Sequence, residues 1–204
     1  MPKEVTVGYL PQVMVLSDTR TVMEEAEMAF EHIFEMQERL NRLNQELADR
    51  VAILNDNYKK SFIGENHPRE ISSKFLLLHT ISHLLIKQLS FECGYGIASL
   101  KERIYCSEAA DGKEMSGILI YTACGDSEGT LGGLVRQGRS DTFPRIFNKA
   151  IENARTCSND PVCSLSQGQG RDSLNLAACY SCALIPETSC EEFNCFLDRG
   201  VVVG

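Results

Sequence analysis

The stretch CSNDPVCSLSQGQGRDSLNLAACYSCALIPETSCEEFNCFLD, residues 157–198, holds six of the nine cysteines of this 204-residue chain: Cys157, Cys163, Cys179, Cys182, Cys190 and Cys195. Its strongest chemical signal is Cys179-Tyr180-Ser181-Cys182. Two residues between cysteines let a tight turn aim both sulfurs at one ion, and four thiolates complete a tetrahedral zinc shell. The pair is half of such a site. Cys190 follows downstream, and Cys157 and Cys163 lie upstream across a loop rich in Gly, Ser and Gln, so five cysteines compete for four positions. The competing readings are buried free thiols, disulfides, or a redox pair on a thioredoxin-like βαβ unit. No such unit precedes Cys179, and the segment reads as a structural zinc site.

Composition sets the surroundings. A chain of 204 residues with 43% apolar content is large enough for one substantial core. Its longest apolar run, residues 75–89, is interrupted by His79, Ser82, His83 and Lys87, and the N-terminus lacks a basic start and an apolar h-region. No membrane partner is implied, and the expected compartment is the cytoplasm, where thiols stay reduced and clustered cysteines favour metal. A net charge of −8 argues against the whole surface binding nucleic acid. The best basic cluster is Arg136, Arg139, Arg145, Lys149 and Arg155, diluted by Asp141 and Glu152. It reads as a solvated face, with Arg136, Arg139 and Arg145 as the candidates for an interface or a nucleic-acid contact.

Ahead of the cysteines, residues 5–16 suggest one or two short strands broken by Pro11, and Ser17-Asp18-Thr19 offers a helix cap. Residues 22–54 carry a helical pattern with Ile33, Met36, Leu40, Leu43, Leu47 and Leu54 near heptad positions. This is either a coiled-coil surface or an amphipathic helix packed on its own domain, the second being favoured. Asn55-Asp56-Asn57 is expected to end it. A second helix is predicted over 69–92, apolar on nearly every side and stopped by Gly94, which makes it the central core helix.

His79 and His83, four residues apart on that helix, have a spacing that can chelate a metal. Thr80 occupies the place where a zincin carries its glutamate, so core or supporting histidines bonded to their neighbours are the preferred reading. Residues 99–106 suggest a helical turn and then a strand. Residues 117–123, GILIYTA, read as a buried strand, leading into a glycine-rich turn (Cys124 to Gly133) that opens a helix. That loop matches neither nucleotide-binding glycine pattern, and Asp126 and Glu128 would repel phosphate; close packing explains its glycines. Asp141 is expected to cap a helix over 142–155, a final short helix is expected from 190 or 191 to 199, and a terminal strand over 201–203.

Three segments together are specific: LLLHTISHLLIKQLSFECGYGIASLKERIY (76–105), GILIYTACGDSEGTLGGLVRQGR (117–139), and CSNDPVC (157–163) followed by LNLAACYSCALIPETSCEEFNCFLDR (174–199). In this combination the chain resembles the helicase-associated zinc-binding domain of the MrfA type, in the form that closes DrmB-like proteins of DISARM anti-phage defence. The resemblance covers roughly residues 70–199. It implies one structural zinc ion held by Cys179, Cys182, Cys190 and Cys163, with Cys157 as the alternate fourth ligand.

The resemblance also implies a superfamily 2 helicase or another defence-system protein as partner, with DNA bound through the complex. DrmB-like proteins are much longer, which makes this chain either a fragment or a compact stand-alone relative. The sequence contains no Walker A lysine loop and no DExH box, so the expected role is a non-catalytic adaptor. The competing functions are a metal-dependent hydrolase or nuclease using His79, His83, Asp126 and Glu128, and a direct DNA-binding module. The expected fold is α+β: a predominantly helical domain with a small central sheet and a C-terminal four-cysteine zinc site. Residues 1–66 would form an accessory segment and 67–204 the zinc-binding domain.

Overall fold

The structure, a computed structural model, describes residues 21, 23, 24, 28, 30–108, 112–122 and 131–203. The chain divides into two units, Met1–Arg42 and Leu43–Gly204, so residues 43–66 belong to the larger unit rather than to an N-terminal accessory. Helix α1 (Glu31–Lys59) passes through this boundary. In its first part Ile33, Met36, Leu40 and Leu43 are exposed, whereas in the larger unit Leu54 and Tyr58 are buried against Ile71, Leu76, Leu174 and Phe196. Within the larger unit, the end of the heptad-like pattern at Leu54 packs on its own domain.

Helix α1 does not stop at Asn55. The Asn55 side chain donates to Val51 O and Ile71 O and accepts from Ile71 N, so its polar group is satisfied inside the helix and the signal for a loop is overridden. Ser61 then caps the short helix α2 (Phe62–Asn66) by accepting from Gly64 N.

The predicted central helix is α3 (Ser73–Cys93). Ser72 caps its start, accepting from Phe75 N at 3.1 Å, and Gly94 ends it at φ 70°, a left-handed turn that a side chain would strain. Leu76 faces the α1 side of the core, while Leu84, Leu85, Ile86 and Leu89 join Leu100, Ile146, Ala150 and Ala154 in the larger cluster. The last three come from α5 (Phe143–Ala154). Thr142, not Asp141, stands at the cap position of α5, and its hydroxyl turns back to donate to Arg136 O.

Strands β1 (Leu100–Ser107) and β2 (Met115–Thr122) form an antiparallel hairpin lying on α3, with Glu102 paired to Ile120 and Ile104 to Ile118. β2 takes in residues 117–122 of the GILIYTA run, but it is half-buried: Met115, Leu119 and Tyr121 face outward because a two-stranded sheet covers only one side. On β1 the alternation turns Leu100 and Glu102 inward, at 0% and 2% exposure.

Helix α4 (Leu131–Gln137) takes in Gly132 and Gly133 at the end of the glycine-rich stretch. A Cβ at Gly133 would meet the Tyr95 hydroxyl at 2.8 Å, so close packing explains that glycine. The proposed strands in residues 5–16, the cap at 17–19, and Cys124, Asp126 and Glu128 lie outside the described residues.

The expected final helix is replaced by irregular chain, because Phe193, Asn194 and Phe196 take positive φ values of 51°, 61° and 64°. Asn194 supports this path by bonding Ile185 through both its amide nitrogen and oxygen. Residues 201–203, expected as a strand, lie instead in a helical turn, α6 (Gly200–Val203).

Candidate metal centre

The polar loop after α5 returns the chain beside the CxxC turn. Cys157, Cys163, Cys179 and Cys182 offer four sulfurs that all lie within 4.8 Å of one another. Cys157 and Cys179 are 3.5 Å apart, Cys179 and Cys182 3.7 Å, and Cys163 and Cys182 3.8 Å. A tetrahedral zinc shell with bonds of about 2.3 Å has edges of about 3.8 Å, so these spacings suit one zinc ion.

The scaffold holds the sulfurs from outside. The Cys179 amide donates to Cys182 Sγ at 3.3 Å, the Asn159 amide to Cys157 Sγ at 3.4 Å, and the Asn159 side chain to Cys179 Sγ at 3.3 Å. Asp160 fixes the 157–163 turn by accepting from Cys157 N at 2.9 Å and Ser164 N at 3.1 Å. Arg199, buried at 3% exposure, binds Asp160 and also donates to Ala154 O, joining this turn to α5 and to the chain end.

Charge explains the need for a cation. Burial pushes the Cys179 thiol up, but hydrogen bonds from the Cys182 backbone, from Asn159 and from Cys157 bring it down to about 6. At Cys182 burial and the charge of the neighbouring sulfurs push the thiol up. Four sulfurs this close cannot all be thiolates without a compensating positive charge. Lys87, which donates to Ser181 O at 3.0 Å, supplies part of it from α3.

Three of the expected ligands, Cys163, Cys179 and Cys182, are therefore brought together, and Cys157 completes the set beside Cys163 instead of replacing it. Cys190 does not join them. The turn over Glu187–Ser189 and the left-handed residues after it carry Cys190 into the main core, against α3 and β1. There it meets His79, His83 and Glu102, a second group whose donor atoms all lie within 4.8 Å of one another.

Glu102 was not a sequence candidate. The signal for it was the alternation Leu100, Glu102, Ile104, which places an acid on the inward face of a strand. Cys195 is buried among Leu174, Leu176 and Phe196, as a small apolar side chain. The eight described cysteines form no disulfide among the described residues.

Of the basic residues, Arg145 and Lys149 both bind the Glu92 carboxylate, at 3.2 and 3.1 Å, while Arg136 and Arg139 are exposed. No helix among the described residues is long and apolar enough to cross a membrane.

A two-stranded hairpin on a buried helix, followed by a four-cysteine clasp, defines a small domain of zinc-binding type. The profile of the MrfA Zn-binding domain matches residues 81–183, about half the chain, and the chain belongs to that family. All four clustered cysteines fall inside the matched segment, whereas Cys190 falls outside it. The chain is also similar to the DISARM protein DrmB of Bacillus paralicheniformis, at 46% identity over 129 residues. The match takes in 63% of this chain and only 22% of that protein.

Proposed function

We propose that this chain is a zinc-stabilised, non-catalytic accessory module that partners a helicase or another DNA-processing protein in bacterial anti-phage defence, in the cytoplasm. The observation that carries it is the set of four sulfurs at tetrahedral spacing inside the family-matched segment, in a chain similar to part of a DISARM protein. Cys157, Cys163, Cys179 and Cys182 are the proposed zinc ligands. When bound, the ion supplies the positive charge that lets four thiolates share one small volume. The protein's own residues do the rest: Asn159 and the backbone amides orient the sulfurs, and Asp160 with Arg199 locks the turn to α5.

Such a clasp binds no substrate. It holds a surface, and in this reading ATP turnover belongs to the partner, which fits a sequence without a Walker A loop or a DExH box. DNA contact is assigned to the complex, because Glu92 pairs with both Arg145 and Lys149 and leaves Arg136, Arg139 and Arg155 as the exposed members of the basic cluster that it does not hold.

The test is co-expression of the chain with its genomic neighbours, followed by affinity purification. A helicase should co-purify with the intact chain and be lost with Cys179→Ser/Cys182→Ser. ATP hydrolysis or nuclease activity by the chain alone would overturn the adaptor reading. Salt-sensitive duplex binding by the isolated chain, abolished by Arg136→Ala/Arg139→Ala, would replace it with a direct DNA-binding module.

A further inference from the structure

We propose that His79, His83, Glu102 and Cys190 hold a second, fully enclosed zinc ion, distinct from the four-cysteine clasp. The four residues come from three parts of the fold: α3, β1 and the turn after residue 189. His79 and His83 are 0% exposed, Glu102 2% and Cys190 7%.

The geometry converges on one point. His79 Nε2 lies 3.0 Å from Glu102 Oε1 and 3.2 Å from Cys190 Sγ, and His83 Nε2 lies 3.4 Å from the same Glu102 oxygen. The two imidazoles stand perpendicular, with centroids 4.7 Å apart, which turns both Nε2 atoms toward the carboxylate. A tetrahedral zinc ion bound by nitrogen, oxygen and sulfur has ligand edges of about 3.4 to 3.6 Å, within a few tenths of an ångström of these spacings.

The hydrogen bonds on the outer side decide what stands inside. His79 Nδ1 faces Phe196 O at 3.2 Å and His83 Nδ1 faces Ala183 O at 2.9 Å. A backbone carbonyl only accepts, so each Nδ1 carries the hydrogen, and as a metal ligand each ring offers the lone pair of Nε2 inward. Both lone pairs then meet a carboxylate and a sulfur, which are acceptors too. His83 Nε2 and Glu102 Oε2 are buried with no hydrogen-bond partner. A cation at the centre takes up the lone pairs of both Nε2 atoms, the otherwise unpartnered His83 Nε2 included, and outward Nδ1–H bonds to carbonyls are the usual support of zinc-bound histidines.

Cys190 Sγ is prepared in the same way, accepting from the amides of Glu192 at 3.3 Å and Asn194 at 3.2 Å. Glu102 Oε1 accepts from Glu191 N at 3.3 Å.

Charge balance supports zinc. Two neutral imidazoles, one carboxylate and one thiolate neutralise a divalent ion, so the group can sit at the centre of the core with no net charge. The four-cysteine clasp carries two surplus negative charges, and it lies at a half-exposed position beside Lys87 and Arg199. With four protein ligands and no exposed face, the inner site has no open position for substrate. It is a second clamp, tying the hairpin and the C-terminal turn to α3.

The experiment uses the full chain, purified without added metal. Native mass spectrometry should show two zinc ions per chain, and zinc-edge X-ray absorption should show five sulfurs, with nitrogen and oxygen, shared over the two ions. Cys190→Ser and His83→Ala should each reduce the content to one zinc with a shell of sulfur only. One zinc in an all-sulfur shell in the unaltered chain overturns the inner site and leaves the clasp intact. One zinc in a mixed shell removes the clasp and supports the inner site. Two zinc ions that survive both substitutions also overturn the proposal, as does a folded chain with none.

Discussion

At the scale of single residues, the clasp depends on few atoms. Replacing Cys179 and Cys182 by serine removes the sulfurs of the CxxC turn, and structural zinc supplies folding free energy on the order of 10 kcal/mol. The double variant should lose the sulfur-only zinc, and residues 157–199 should become open to limited proteolysis; retained protection would show that the turn folds without metal.

Asp160 offers a separate test through pH. Burial pushes its carboxyl up, but the Arg199 guanidinium and the Cys157 amide outweigh that and hold it below the usual carboxylate range. Its folded value is depressed, so its contribution is present above the unfolded value, about 3.9, and disappears as pH falls through the lower folded value. Asp160→Asn should therefore lower the thermal midpoint at pH 7 and have progressively less effect at strongly acid pH, as the carboxyl protonates in the folded chain too. An equal loss at both pH values would place the effect in packing, not in charge.

At the scale of elements, α3 organises everything else. Its start depends on Ser72, and Ser72→Ala should cost about 1 kcal/mol. At its end, Gly94→Ala forces a side chain into the left-handed region and should cost about 1 kcal/mol. Leu76, fully buried between α1 and the cysteine-rich segment, is more costly to truncate. Leu76→Ala should lose roughly 2 to 5 kcal/mol in denaturant titrations, and a loss below 1 kcal/mol would mean that α1 is not anchored there.

The apolar run and the glycine after it made α3 and its C-terminal stop legible in the sequence, whereas its start lies at the Ser72 cap instead of at residue 69. The ends of α1 and the form of the C-terminal segment were not legible. Asn55 reads as a loop residue until Ile71 arrives to bond it, and the turn at 193–196 depends on contacts with Asn175 and Ile185.

For the whole molecule, the zinc clasp and the core are parts of one unit. Arg199 and Asp160 link the 157–163 turn to α5, and Asp198 accepts from Arg50 on α1, so the last residues fasten the helices to the cysteine segment. Chelation of the clasp zinc should lower the thermal midpoint of the whole Leu43–Gly204 unit, not of the cysteine segment alone. Calorimetry with and without a strong chelator checks this; an unchanged main transition would show the clasp to be an independent appendage.

The sequence by itself determined the central helix, the hairpin strand and the presence of a zinc-type cysteine cluster, because each is written in local spacing: apolar runs, alternation and the CxxC turn; the family was legible only as a resemblance of several segments together. Only the tertiary structure decided which cysteines meet. Cys157 and Cys190 are equally plausible partners in a list of spacings, and the path of the chain through the 187–196 turn sends one to the clasp and the other to the core. It also decided that Glu102 faces His79 and His83. Long-range convergence depends on how α3, the hairpin and the C-terminal loop pack, and no local pattern encodes that distance.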